Sequence, residues 1–389
     1  MERKDIEDYL ILLEERERFL VDQLCGRRYS REKHRYKRHK TSKKTIFTRF
    51  GKITQRFVYV KDVSSGESFA PLLDYLQIPK HQHLSDDFKQ ILSRKASRTT
   101  YQKGVEDIVD SFSFGLCRQT LHKYVKETCS NLEIEQEPDP SHRIILADGS
   151  KVKSGHGAKH EPKTIISVGE DTSDKVLLRQ AINKSWREMV ANLNLTQYEI
   201  FVGDGETGLA SAFMEKGMKF HFCHEHAERD LAFYLWKDGL NKKEYAPYSA
   251  QFEAILHTLQ NSTKKHKEDK DWQRLLQRID WAKREVNTLA VSLNCRGLFE
   301  SSAFLMRNKV YFVTASEMAI IGLNVPFTTN VIERVMREVG DRTKKKGMYW
   351  SEKGLDRILK MVLKRYFLPQ DQRTYKHIFT ESIQEAIES

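Results

Sequence analysis

Apolar positions change their period several times along the chain. Over residues 3–24, Ile6, Leu10, Leu13, Leu20 and Leu24 recur at spacings of three and four, broken by Glu17. That pattern predicts an amphipathic helix, packed on its own domain or paired as a short dimerising coil. RRYSREKHRYKRHKTSKK, residues 27–44, has no apolar period and reads as an extended arm. TIFTRFGKITQRFVYVKD, residues 45–62, carries β-branched and aromatic residues around Gly51, the mark of a β-hairpin. Between residues 84 and 129 the period becomes helical. Ser85 is placed to cap one helix through Phe88, Ile91 and Leu92, and Thr100 to cap a second over 101–109. SFSFG then breaks the chain, and LCRQTLHKYVKETC predicts a third helix. Three short helices with a turn before the last match a helix-turn-helix, or a plain three-helix domain.

After the acidic, proline-bearing NLEIEQEPDPSH, read as a linker, the pattern turns α/β. RIILADGSKV, KTIISVG and KVLLRQA predict three sequential strands, a meander. A helix around 186–195 follows, then the strand YEIFVGD, the helix GLASAFMEKG, the strand MKFHFC and the helix AERDLAFYLW. Three strands, a helix, then alternating strand and helix is the order of an RNase H-like mixed sheet. Residues 240–320 are helical and polar, and Pro326 with the Thr328, Thr329, Asn330 cap cluster opens a late helix. The expected organisation is an N-terminal helix (1–26), a basic arm and hairpin (27–62) and a helix-turn-helix-like domain (63–130). The linker (131–142), the first part of an RNase H-like domain (143–239) and a helical insertion (240–322) come next. The last helices of that domain (323–368), which carry Glu333, and a C-terminal helical tail (369–389) complete it.

The chain of 389 residues carries a net charge of +12, with a pI of about 9.2. A basic excess of that size points to nucleic acid or an anionic surface. Residues 27–44 hold ten Lys or Arg against one Glu, nine of the twelve net charges. There Tyr29, Tyr36, His34 and His39 interleave cations that include Arg27, Arg28, Arg35, Lys37 and Arg38, a mixture suited to a nucleic-acid backbone. On the third helix Arg118, Gln119, His122 and Lys123 are expected to be exposed and to reach base edges and phosphates. No apolar run approaches the ~18–20 residues of a membrane span, and no signal-peptide order is present. Five scattered cysteines form no disulfide framework. A soluble, intracellular protein is expected.

Two aspartates have the same setting: Asp148 ends the run IILA and Asp204 ends IFVG, each followed by glycine. Such an Asp is commonly a turn residue, but two of them after apolar strands in one region suggest a carboxylate pair at a sheet edge. With strands one and four as neighbours, they would be adjacent despite a separation of 56 (204 − 148). In TTNVIERVMREVGDRTKKKG, Glu333 sits in the first helical turn ahead of Arg334, Arg337, Arg342, Lys344 and Lys345. An acid there complements the helix dipole; it also supplies a third carboxylate. Three convergent carboxylates suit two Mg²⁺ or Mn²⁺ ions, with the following cations holding a DNA strand. Glu206, Asp171 and Asp174 are alternative ligands by spacing. HFCHEHAERD offers His221, Cys223, His224 and His226 within six positions. Cys-x-x-His invites a zinc reading, yet no second Cys or His pair sits at suitable spacing. A packed strand end and a site beside the carboxylates, with His226 near a scissile phosphate, are the other readings.

Taken together, LADGSKV, FVGDGETGLASAF, CHEH and NVIERVMREVGDRTKKKG resemble the Mutator-like DDE transposases of prokaryotic insertion sequences over about residues 143–362. The upstream FGKITQRFVYV and GLCRQTLHKYV resemble, more loosely, the DNA-binding region of related transposases. The resemblance implies Asp148, Asp204 and Glu333 as the metal-binding catalytic triad. It makes Cys223 and His226 the motif pair, with Asn330 and Arg334 flanking the glutamate. It further implies cleavage and strand transfer at the terminal inverted repeats of double-stranded DNA, a homo-oligomer, and a cytoplasmic, nucleoid-associated location in a prokaryote. In some eukaryotic relatives a tryptophan of the insertion stabilises a flipped base; Trp272 and Trp281 lie in that segment here, with helix-core packing as the other reading. A structure-specific nuclease and a non-catalytic DNA-binding derivative are the alternative functions.

Overall fold

The structure is a computed structural model. It describes residues 3–26, 34–76, 78–79, 81–112, 114–130, 132–154, 159–344 and 348–367. The chain divides into two compact units, Met1–Leu132 with Lys360–Val362, and Glu133–Leu359 with Leu363–Ser389.

The first unit opens with α1 (Arg3–Cys25), followed by β1 (Tyr36–Thr48), β2 (Gly51–Asp62), β3 (Ser68–Phe69) and α2 (Pro71–Tyr75). Leu13 and Val21 are buried along α1, and so is the interrupting Glu17, whose Oε1 accepts 2.9 Å from the Val58 N–H of β2. A carboxylate in the apolar stripe is thus tied to a strand backbone, which offsets its burial. The hairpin corrects the sequence reading of an extended arm. Strand β1 starts at Tyr36, so most of the basic stretch from there on is paired with β2, with a bulge between Arg38 and Lys40. The pairing sets Lys43 opposite Arg56 and Lys37 opposite Lys61. Arg27 and Arg28 lie outside the described residues.

The predicted three helices are present as α3 (Asp86–Arg98), α4 (Tyr101–Phe112) and α5 (Arg118–Ser130). Thr100 caps α4 as expected, accepting from Lys103 N at 3.2 Å. Ser85 occupies the N-cap of α3 but makes no side-chain cap; its hydroxyl donates to the Phe47 carbonyl instead. The SFSFG break is an aromatic hub: Phe112 and Phe114 both meet the Phe88 ring, at 5.2 and 5.4 Å.

In the second unit come β4 (Ile144–Gly149), β5 (Val152–Lys153), β6 (Lys159–His160), β7 (Pro162–Val168) and β8 (Lys175–Ile182). They are followed by α6 (Trp186–Ala191), β9 (Ile200–Gly203), α7 (Thr207–Met214), β10 (Lys219–Phe222) and α8 (His224–Lys237). The five-stranded sheet has the order β10-β9-β4-β7-β8. β4, β7 and β8 form the antiparallel meander expected, while β9 and β10 join in parallel. Ile144–Ala147, all of β7 and all of β9 are buried, as continuous apolar runs covered on both faces should be. The linker is less free than its composition suggests: Gln136 exchanges hydrogen bonds with Leu177 of the edge strand β8.

Helices α9 (Lys242–Glu268), α10 (Trp272–Cys295), α11 (Phe299–Asn308) and α12 (Thr314–Ile320) make up the insertion. It shares one hydrophobic core with the sheet. Phe222 at the end of β10 meets Phe304 and Phe312, and Phe312 meets Phe252 of α9. Trp272 and Trp281 are partly buried against that core, in line with helix-core packing. The last helices are α13 (Asn330–Thr343) and α14 (Glu352–Phe367). Among the described residues, no helix is long and apolar enough to cross a membrane.

Candidate active site

Three neighbouring parallel strands end together. β4 pairs with β9 at an offset of 56 (Ile144 with Ile200), and β9 with β10 at an offset of 19 (Ile200 with Lys219). Carried past the last paired residues, the same offsets set Asp148 level with Asp204, and Asp204 level with Cys223. Adjacent strands lie ~4.8 Å apart, so the three side chains form a row along the carboxyl edge of the sheet. Ligand sites gather at that edge in open α/β sheets.

Each aspartate is fixed by the turn that follows it. Asp148 Oδ1 accepts from Gly149 N at 2.7 Å, and Asp204 Oδ1 from Glu206 N at 3.1 Å. Gly205 takes a φ of +76°, and a Cβ there would overlap the Phe222 ring. Only glycine lets the chain leave β9 at this angle. Burial pushes the Asp148 carboxyl up to about 7, opposed by the Gly149 hydrogen bond; the charges of Asp204 and Glu333 add to the rise, and Lys344 opposes it. Asp148, Asp204 and Glu333 therefore share one electrostatic field.

The head of α13 closes the site from the side. Glu333 is in its first turn, as expected. Thr329, read as a cap, holds the N-cap position without capping: its hydroxyl donates to Glu333 Oε1 at 2.9 Å. Thr329 N donates to Cys223 Sγ at 3.3 Å. Asn330 Nδ2 donates to Glu225 at 2.8 Å, tying α13 to α8. His226 Nδ1 stands 3.2 Å from Cys223 Sγ and 3.7 Å from Glu333 Oε1. Burial, with the nearby Arg229, holds the His226 imidazole below its ordinary value, while Asp204, Glu333 and Glu225 pull the other way. Burial also raises the Cys223 thiol, against hydrogen bonds from Thr329 and from the N–H groups of His226 and Glu225.

Among the described residues, two sets of three side chains bring their ligand atoms within 4.8 Å of one another: Cys223, His226 and Glu333, and Asp139, His142 and Asp174. The three carboxylates do not form such a set among the described residues; Glu333 Oε1 accepts from Thr329. Of the four candidate ligands in the His221–His226 stretch, only Cys223 and His226 lie in such a set. His221 and His224 are buried and turn away, to the carbonyls of Tyr311 and Phe312. The alternative carboxylates are engaged elsewhere. Glu206 accepts from the Trp186 indole, Asp171 from Ser173 N, and Asp174 lies against His142.

The sequence reading missed Asp230 and Thr329's true role. Asp230, one turn beyond His226, is pushed up to about 6 by burial and by Asp204. Its place in the helical register of HEHAERD was the one available signal.

Of the basic residues after Glu333, Arg334, Arg337 and Lys344 are exposed. Arg342 is not a surface contact: it is 2% exposed and its guanidinium lies 4.9 Å over the Trp350 ring. Lys345 lies outside the described residues. In the first unit Lys37, Arg118, Gln119, His122 and Lys123 are exposed as expected. Arg35 and Arg38 are already paired, with Asp62 and Asp22.

The chain is similar over residues 12–182 to the model of an uncharacterised protein family, UPF0236. That segment includes Asp148 and ends before Asp204. No curated protein matches the chain.

Proposed function

We propose that the protein is a DDE-type transposase of the Mutator-like kind, which cuts DNA at the ends of an insertion sequence and joins the freed end to target DNA. The observation that carries this reading is the register of β4 and β9, which sets Asp148 level with Asp204, with the charge of Glu333 from α13 acting on Asp148. The sheet order supports an RNase H-like fold: numbered as they occur, its strands run 5-4-1-2-3.

The donor set fits a hard divalent cation. It offers oxygen ligands, and Oδ2 of Asp148 and of Asp204 has no hydrogen-bond partner among the described residues. Burial chiefly raises Asp148, and the like charges of Asp204 and Glu333 add to it, a rise that a bound cation would reverse. Asp148, Asp204 and Glu333 would hold two Mg²⁺ or Mn²⁺ ions, which would supply activation of a water or 3′-hydroxyl and charge stabilisation at the leaving oxygen. The chain's own part is positional. Asp148 and Asp204 are locked by backbone N–H groups, Glu333 is steadied by Thr329, and His226 is held neutral, able to hydrogen-bond beside the scissile phosphate. Arg334, Arg337 and Lys344 are placed to hold the strand.

Double-stranded DNA as partner is supported by the hairpin. Like charges directly opposite on paired strands are destabilising, and Lys43–Arg56 and Lys37–Lys61 are such pairs. Phosphates would relieve them. The three helices α3–α5, with Arg118, Gln119, His122 and Lys123 exposed on the last, support a helix-turn-helix reading. Two element ends need pairing, which implies at least two protomers.

A strand-transfer assay tests the proposal. Labelled end DNA with a free 3′-hydroxyl, the full chain, Mg²⁺ and a plasmid target should give covalently joined product. Nicking without joining would favour a structure-specific nuclease, and binding without either would leave a DNA-binding derivative.

A further inference from the structure

Four polar atoms meet where the start of α8 faces the head of α13. Cys223 Sγ and His226 Nδ1 are 3.2 Å apart, and His226 Nδ1 and Glu333 Oε1 are 3.7 Å apart. The Thr329 hydroxyl oxygen lies 3.3 Å from the sulfur, 3.3 Å from the nitrogen and 2.9 Å from the carboxylate oxygen. The remaining edge, Sγ to Oε1, is within 4.8 Å. Five of the six edges between these atoms thus lie between 2.9 and 3.7 Å. The centre of a tetrahedron with edges of about 3.3 Å lies ~2.0 Å from each corner, the length of a Zn–N or Zn–O bond and a little short of the ~2.3 Å of Zn–S.

The chemistry of the corners matches the geometry. The Thr329 hydroxyl has one proton, and its shortest contact gives that proton to Glu333. The sulfur and the imidazole Nδ1 lie beside the same hydroxyl oxygen. Cys223 is fully buried at the N-cap of α8, and its sulfur receives the Thr329 N–H. That backbone donor orients the sulfur; burial holds Cys223 as a thiol, so a cation must displace its proton to bind. A thiolate and an imidazole select a thiophilic ion over Mg²⁺.

We infer that Cys223, His226 and Glu333 bind one thiophilic divalent cation of the Zn²⁺ type, with the Thr329 hydroxyl or a water at the fourth corner. Binding releases the thiol proton to solvent and leaves the other groups' protons in place. The site is distinct from the carboxylate pair and stands whether or not that pair cuts DNA. One consequence does rest on the proposed function: a thiophilic ion on Glu333 draws it from Asp148 and Asp204, so Zn²⁺ should inhibit Mg²⁺-dependent cleavage.

The test is titration of the metal-free full chain with Co²⁺, and with Zn²⁺ in competition with a chromophoric chelator. The expected result is one ion per chain, with a thiolate-to-cobalt charge-transfer band and the intense visible bands of tetrahedral Co²⁺. Cys223→Ser should abolish the charge-transfer band. His226→Ala should weaken Zn²⁺ binding by at least ~100-fold, since losing a ligand costs more than losing a ligand's supporting hydrogen bond. Asp148→Asn, and Cys117→Ser with Cys295→Ser at the exposed thiols, should bind as the wild type does. Retention of the band in Cys223→Ser, wild-type affinity in His226→Ala, or no bound ion in the wild type would overturn the inference. Should Cys223→Ser fail to fold, His226→Ala and the wild-type spectrum decide. Loss of the proposed cutting activity would leave these spectra unchanged, so the two readings fail separately.

Discussion

Asp148 and Asp204 stand level at the carboxyl ends of two neighbouring parallel strands, because the register offset between β4 and β9 equals their separation in sequence. The proposed cutting chemistry rests on that coincidence. Two carboxylates at the spacing of adjacent strands, with Glu333 contributing to the same field, concentrate negative charge at a half-buried point.

That concentration sets a pH dependence. Burial and its neighbours hold Asp148 at about 7 in the folded chain, above the ~3.9 of an unfolded aspartate. Between those values the folded chain keeps a proton that the unfolded chain has lost. Metal-free stability should therefore fall as pH rises from ~4 to ~7 and level off above. Asp230, up to about 6, acts in the same direction. Thermal unfolding in EDTA reads the trend, and Asp148→Asn should flatten part of it. Mg²⁺ should raise the melting temperature more at pH 8 than at pH 5, and this difference should vanish in Asp148→Asn. An equal Mg²⁺ effect at both pH values would contradict the shared field.

Gly205 and Gly217 both take positive φ, +76° and +84°, but in different surroundings. A Cβ at Gly217 meets nothing within 4 Å, whereas one at Gly205 overlaps the Phe222 ring. Gly217→Ala should cost only the ~1–2 kcal/mol of a left-handed non-glycine residue. Gly205→Ala should cost ~1–3 kcal/mol more from overpacking, and should also lower cleavage by displacing Asp204. Chemical denaturation of the two variants makes the comparison; equal losses would show that the turn tolerates a side chain.

On the hairpin, Lys43 and Arg56 face each other across β1 and β2. If phosphates relieve that repulsion, replacing both with Ala should reduce the salt dependence of DNA binding by about 1.8 in log–log slope, ~0.9 for each contact. Folding stability should not fall, since the removed pair was repulsive. An unchanged slope from binding titrations over a range of salt would remove the hairpin from the DNA interface.

Much of the second unit was legible in the sequence because its strands are buried on both faces. IILA, TIISV and IFVG are continuous apolar runs, and the Asp-Gly steps that end two of them mark the edge of the sheet. What escaped is set by partners distant in the chain. Tyr36–Ser42 shows no strand signal of its own, since its residues are mainly solvated and polar; pairing with β2 makes it a strand. Arg342 reads as one more surface cation until Trp350 and Met348 enclose its guanidinium. Thr329 has the composition of a cap, yet the side chains of Glu333, Cys223 and His226 offer its hydroxyl better partners than the helix N–H groups. His221 and His224 look like ligands beside Cys223, but backbone carbonyls from the segment after α11 take them into the core.

The central claim is that Asp148, Asp204 and Glu333 act together on a phosphodiester. Its most direct measurement incubates the full chain with DNA flanking its own gene and Mg²⁺, and maps any nick at nucleotide resolution for the wild type, Asp148→Asn, Asp204→Asn and Glu333→Gln. The expected result is one nick at a fixed boundary in the wild type, abolished by EDTA and reduced by at least ~10³-fold in each folded variant, as for loss of a group acting in a single concerted unit. Nicking that survives in any one of the three variants would contradict the claim.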